Sequence, residues 1–149
     1  VNALIALGKA IREKRPKHII NFGTAGSSSP DLSGLHEVTL FKQRDMDVSP
    51  LGFEIGETPL DQIGNISFNR DGLSCGTGDS FVNSIQDIDT DLYDMESYAI
   101  AKLCLIEDID FLCFKYISDK ADEKASTDWQ KNVSDGAIFF KRLLDSLNE

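Results

Sequence analysis

Seven consecutive residues, Phe111-Leu-Cys-Phe-Lys-Tyr-Ile117, constrain the fold more than any other part of this chain. Aromatic and aliphatic side chains dominate them, no glycine or proline interrupts, and apolar groups fall on both faces. That is the pattern of a strand covered on two sides. Such a strand needs layers above and below it, and the rest of the chain supplies them. His18-Ile-Ile-Asn-Phe22 reads as a second buried strand and residues 36–44 (HEVTLFKQR) as a third. Shorter strands are expected at Ile66–Phe68, Leu73–Cys75 and Leu92–Tyr93. Asn2 is placed to cap a helix running to about Lys14, with Leu4, Ile5, Leu7 and Ile11 as its apolar stripe and Pro16 as its stop. Met95–Ile106 carries helical spacing at Ala99, Ile100, Leu103 and Cys104, and Val133–Leu147 closes the chain as an amphipathic helix. Helices interleaved with buried strands predict an α/β fold, a layered mixed sheet flanked by helices, in a single domain over residues 1–149.

Charge and cysteine usage narrow the function classes. Lys and Arg number 15 against 25 Asp and Glu, a net charge of −10. A surface field of that sign repels phosphate backbones and anionic lipid, so nucleic acid and membrane are poor partners. No apolar run approaches the ~20 residues needed to span a bilayer. Cys75, Cys104 and Cys113 are odd in number, never spaced C-x-x-C, and each lies among apolar residues. They read as reduced core thiols of a cytoplasmic protein. His18 and His36 are the only histidines, and no His/Cys cluster supports a zinc site.

Three clusters of small or acidic residues come directly after expected strands: Gly23-Thr-Ala-Gly26, Asp94-Met-Glu96 and Ser118-Asp119. In α/β sheets ligands gather beyond the carboxyl ends of strands, where side chains from several strands converge. Gly23–Gly26, with three serines after it, reads as a turn at which a ligand approaches the backbone. Gly76-Thr-Gly-Asp-Ser-Phe81 has loop chemistry, with Asp79 placed to cap a short helical turn.

Taken in order, INFGTAG (20–26), LSGLHEV (32–38), QRDMD (43–47), TGDSFV (77–82), DMESYAIA (94–101) and ISDKAD (117–122) resemble the purine nucleoside phosphorylase superfamily. Within it, they resemble the 5′-methylthioadenosine/S-adenosylhomocysteine nucleosidase branch. The resemblance implies a nucleoside phosphorylase-like fold, a homodimer, and hydrolysis of the N-glycosidic bond of an adenine nucleoside with no metal or organic cofactor. Breaking that bond leaves a sugar with oxocarbenium character and a purine carrying negative charge. A catalyst must stabilise both more in the transition state than in the ground state.

Residue by residue, the resemblance assigns roles. Asp119 matches the acid that protonates or hydrogen-bonds purine N7, a task that needs a carboxyl pKa raised by burial or a neighbouring anion. Glu96 matches the carboxylate that grips the ribose hydroxyls, and Met95 the side chain packed on the ribose face. Phe81 matches the aromatic stacked on the base, a contact worth roughly 1–3 kcal/mol. The backbone of Val82 would face the adenine edge, and Ser118 counts among the substrate-binding residues. Thr24 matches the hydroxyl beside the attacking nucleophile. Lys115 stands where relatives often carry Arg, and either enters the site or points to solvent. Arg44, Asp45 and Asp47 match a segment near the subunit contact, with Leu51 and Phe53 reaching a neighbour's 5′-substituent pocket. A surface salt-bridge cluster is the other reading of those charges.

The resemblance also implies strands ahead of Val1, among them a glutamate that activates the attacking water. Glu13, between Arg12 and Lys14, reads as part of a solvated face and not as its substitute. The chain is therefore expected to be N-terminally incomplete, or to have lost its base and to bind a nucleoside while turning it over poorly. Phosphorolysis is the nearest alternative chemistry. Phosphate needs several fixed cationic or backbone donors. Arg44 and Lys115 are the only strong candidates, which favours hydrolysis.

Overall fold

A computed structural model describes residues 1–61, 63–84 and 89–147. The strand-like segment forms the middle of β6 (Asp110–Asp119), and its alternation sets the layers. Phe111, Cys113, Lys115 and Ile117 are buried, whereas Leu112, Phe114 and Tyr116 are only partly covered. Phe111 and Cys113 face a core shared with Ile100, Ala101 and Cys104 of α2 (Ser97–Ile106). Tyr116 turns the other way and stacks on Phe139 of α4 (Gly136–Leu147), as Phe22 stacks on Phe140 at 4.1 Å between ring centroids. The strand thus has a helix on each face.

β1 (His18–Ser27) runs parallel to β6 from His18 opposite Asp110 to Gly26 opposite Asp119. On its other side it meets β5 (Leu92–Asp94), antiparallel. β2 (Leu35–Gln43) pairs with β3 (Ile66–Ser67) and with β4 (Leu73–Thr77), giving the order β3-β2-β4-β5-β1-β6. The first half of β2 also pairs with β6, Leu35–Val38 against Tyr116–Cys113. The mixed sheet therefore closes into a ring, with β3 appended to β2, and the helices pack around it. Among the described residues no helix is long and apolar enough to cross a membrane.

Several local expectations are corrected. α1 (Asn2–Lys14) starts after Val1 with no side-chain cap, so Asn2 is its first helical residue. Ile5 is exposed; Ala3, Leu7 and Ile11 make the stripe that packs on the core. Residues 23–26 do not turn, because pairing with β6 as far as Gly26, and with β5 at Ser27, extends β1. Their small size permits a close approach: a Cβ on Gly26 would lie 2.6 Å from Asp119 Oδ1. β4 likewise continues to Thr77, and Asp79 caps no helix; its N–H is held by Asp45 Oδ2 at 2.6 Å. α2 begins at Ser97, two residues late, because Asp94 Oδ2 accepts the Ser97 N–H and Thr77 Oγ1 accepts that of Tyr98. Met95 and Glu96 stay in the link. The closing helix starts at Gly136, three residues late, as α4, and a separate helix that the sequence did not announce, α3 (Ala125–Asn132), precedes it.

Candidate functional site

β1 and β6 end together because they are parallel and in register, and β5 pairs antiparallel with the end of β1. A cavity of about 330 Å³ opens at this junction. Thr24, Ala25 and Gly26 line it from β1, Asp94, Met95 and Glu96 from the end of β5, and Ser118 and Asp119 from β6. Ser80, Phe81 and Val82 enter on the loop after β4, and Trp129 comes from α3. Seven residues singled out from the sequence, Thr24, Phe81, Val82, Met95, Glu96, Ser118 and Asp119, thus meet on one cavity from four separate segments.

Asp119 is 6% exposed. Its Oδ1 accepts the Ala121 N–H at 3.0 Å and its Oδ2 the Ser118 hydroxyl at 2.8 Å. Burial pushes its carboxyl above the ordinary range against the pull of those two bonds, and the nearby Asp128 and Asp122 carboxylates add to the rise. The result is a carboxyl biased toward its protonated form. Glu96 occupies the N-cap position of α2 and is exposed to the cavity. Phe81 and Met95 leave 45% and 40% of their surfaces uncovered there, an apolar lining suited to a flat aromatic ligand and a sugar face.

Lys115 neither lines the cavity nor reaches solvent. It is 1% exposed, and its ammonium lies 2.8 Å from Asp94 Oδ2. Asp94 also accepts the Thr77 hydroxyl at 2.5 Å and the Ser97 N–H at 2.9 Å. Burial alone would raise the Asp94 carboxyl, yet Lys115 and those donors hold it below its usual range. Burial would likewise depress the Lys115 ammonium, and the Asp94 charge keeps it above. Lys115 therefore touches the site only through Asp94.

In the other charged cluster Asp45 and Asp47 are exposed, whereas Arg44 is not at the surface. Arg44 is buried and donates to the Ser80 hydroxyl at 3.2 Å and to the Ser80 carbonyl. With Asp45 holding Asp79, it ties down the loop that presents Phe81. Asp47 accepts the Ser49 N–H at 3.0 Å, and hydrogen bonding to Ser49 holds its carboxyl below the usual range. That bond lies at the start of the short 3-10 helix Ser49–Leu51, whose N-cap residue is Val48. Arg44, Asp47, Leu51 and Phe53 all lie outside the cavity lining.

Trp129 escaped the sequence reading. Its indole N–H donates to Thr24 Oγ1 at 3.1 Å, and Asn132, one turn later, donates to the Ser118 carbonyl at 2.9 Å. The only signal in the sequence is a lone tryptophan in a polar stretch ten residues beyond Asp119. A second, larger groove of about 560 Å³ runs between α1 and α2, lined by Leu4, Gly8, Tyr98, Lys102, Leu103 and Ile106 among others. Met95 borders both spaces.

Comparison with known proteins places the fold and the family. A 5′-methylthioadenosine/S-adenosylhomocysteine nucleosidase of Haemophilus ducreyi is 29% identical over 83% of this chain and 64% of its own length. The chain thus spans just under two thirds of that relative. A Helicobacter pylori MTAN mutant with 5′-methylthioadenosine in its active site superposes with a TM-score of 0.84 at 21% identity, over 95% of this chain and 74% of that one. Native futalosine hydrolase of the same organism gives 0.86 at 20% identity, over 97% and 74%. At those identities the likeness is one of fold. The phosphorylase superfamily pattern itself matches residues 71–149, more than half the sequence and the part that carries Phe81, Glu96 and Asp119; the chain belongs to that superfamily.

Proposed function

We propose that this chain binds an adenine nucleoside of the 5′-methylthioadenosine or S-adenosylhomocysteine type and hydrolyses its N-glycosidic bond, releasing adenine. The observation that carries the reading is one cavity holding both a carboxyl biased toward its protonated form, Asp119, and a second, exposed carboxyl, Glu96. Asp119 donates its proton to purine N7 as the C–N bond stretches and its electron pair moves into the base. Glu96 accepts from the ribose 2′ and 3′ hydroxyls, and its charge favours the cationic sugar of the transition state. Phe81 stacks on the purine, the Val82 backbone meets its edge, and Met95 packs on the ribose. Thr24 holds the water that adds to C1′; the proton this water loses passes to bulk solvent, from which the Asp119 carboxylate takes its own proton back. Each of these groups is supplied by protein, so the scheme uses no metal or organic cofactor.

Phosphorolysis has less support, because the two cations that the sequence offered for phosphate are already engaged, Arg44 by Ser80 and Lys115 by Asp94. The α1–α2 groove and the resemblance support a homodimer, in which Leu51 and Phe53 of one copy approach the neighbour's site past Met95. Three buried thiols suit a reducing cytoplasm.

The test is to incubate the chain with 5′-methylthioadenosine, with and without phosphate, and to follow free adenine and the sugar product. Adenine release that does not depend on phosphate supports hydrolysis. Strict phosphate dependence with a ribose 1-phosphate product turns the reading to phosphorolysis. Tight nucleoside binding without adenine would mean a binding protein.

A further inference from the structure

We propose that Trp129 is a positioning residue that sets which way Thr24 presents its hydroxyl hydrogen to the nucleophile; the inference rests on the hydrolase reading above. A threonine hydroxyl has one hydrogen and two acceptor directions, so its role is open until a partner fixes it. The indole N–H can only donate. At 3.1 Å it obliges Thr24 Oγ1 to accept along one lone pair, which leaves the Thr24 O–H free to donate into the cavity that both residues line. A donated bond grips a water by one of its lone pairs. The water keeps its second lone pair for C1′ and both O–H bonds for proton loss.

The position of α3 joins this contact to a second one. Trp129 and Asn132 are spaced i, i+3 and share a helix face. One binds Thr24 near the end of β1, the other the Ser118 carbonyl next to Asp119 on β6. A single helical turn therefore fixes the nucleophile side and the acid side of the cavity relative to each other. The rest of α3 is polar and buries only Ala125, so core packing does not explain a tryptophan there.

Trp129 is the only tryptophan, and ¹⁵N-labelled protein therefore gives a single indole N–H signal that needs no assignment. Thr24→Val should shift that signal upfield and speed its exchange with solvent several-fold. Trp129→Phe keeps a ring and loses the donor. It should lower kcat for adenine release about fivefold, the worth of one hydrogen bond, and change KM less. Because the effect acts through the hydroxyl, it should vanish in the Thr24→Val background. An indole signal unmoved by Thr24→Val, or an equal effect of Trp129→Phe in both backgrounds, overturns the inference while leaving the hydrolase reading intact. If the unsubstituted chain releases no adenine, the hydrolase reading fails first and the positioning role with it.

Discussion

Asp94 and Asp119 line the same cavity, and their surroundings drive these two carboxyls in opposite directions. Asp94 has Lys115 at 2.8 Å and stays ionised, while Asp119 is buried beside further acids and tends to keep its proton. Environments that separate two pKa values in this way divide an acid from a structural anion. Asp119→Asn should lower the rate of adenine release by about 10²–10⁴-fold with little change in thermal midpoint, since an amide keeps the shape and loses the proton. In the proposed reaction, the protonated form of Asp119 is the active one. The rate should therefore fall as pH rises through the raised pKa of Asp119, and this alkaline limb should be missing from the Asn variant. Lys115→Met leaves the Asp94 carboxylate buried without its cation, at a cost of about 3–5 kcal/mol by denaturant titration. The sign of the pH dependence should reverse as well. With Lys115 present, the Asp94 pKa is lowered on folding, so its stabilisation is full above the unfolded value near 3.8 and is lost on acidification through the folded value. Without Lys115, burial raises that pKa, and stability should instead fall as pH rises through it.

At the scale of elements, the strands are legible in the sequence and their ends are not. Phe111–Ile117 marks β6 through its unbroken apolar run, but Ser118 and Asp119 read as the loop beyond a strand because serine and aspartate favour caps and turns. Gly23–Gly26 reads as a turn for a similar reason. Pairing along the whole of β6 overrides that local preference, and the small residues are there to let two strands and a carboxyl approach. The site survives this misreading because its residues cluster at strand ends whether or not the strand includes them. α3 is illegible: ASTDWQKN has no apolar stripe, and its contribution is two hydrogen bonds to the ends of other elements. The close approach of β1 to β6 is open to test with one methyl group. In Gly26→Ala the new Cβ falls 2.6 Å from Asp119 Oδ1 and 3.3 Å from the Ala121 Cβ, so the carboxyl must move. The backbone angles at Gly26 do not demand glycine, and the strand should persist. Adenine release should fall at least tenfold while circular dichroism stays unchanged; a rate equal to that of the unsubstituted chain would show that the position of Asp119 does not matter.

For the molecule as a whole, the α/β class is evident from the order of patterns, but closure of the sheet through β2 and β6 is not. Leu35–Val38 carries no mark of which strand it will meet, since pairing of that kind is set by twist and by the connections around the ring. Apolar surface is distributed unevenly over the closed structure. Ile106, 61% exposed, lies in the groove between α1 and α2, and Leu51, 71% exposed, projects from the loop after β2. If a second copy covers that groove, Ile106→Lys should yield monomers in sedimentation equilibrium without lowering the thermal midpoint, because the side chain is largely solvated in the single chain. Two copies each carrying a net charge of −10 also repel one another. Salt shortens the range of that repulsion to about 8–10 Å at 0.1–0.15 M and leaves apolar burial intact. Self-association should therefore tighten as sodium chloride is raised from about 10 to about 150 mM, opposite to the weakening expected of an interface held by ion pairs. A chain that remains monomeric at high concentration and at both ionic strengths would remove the dimer, and with it the route by which Leu51 and Phe53 reach a neighbour's site.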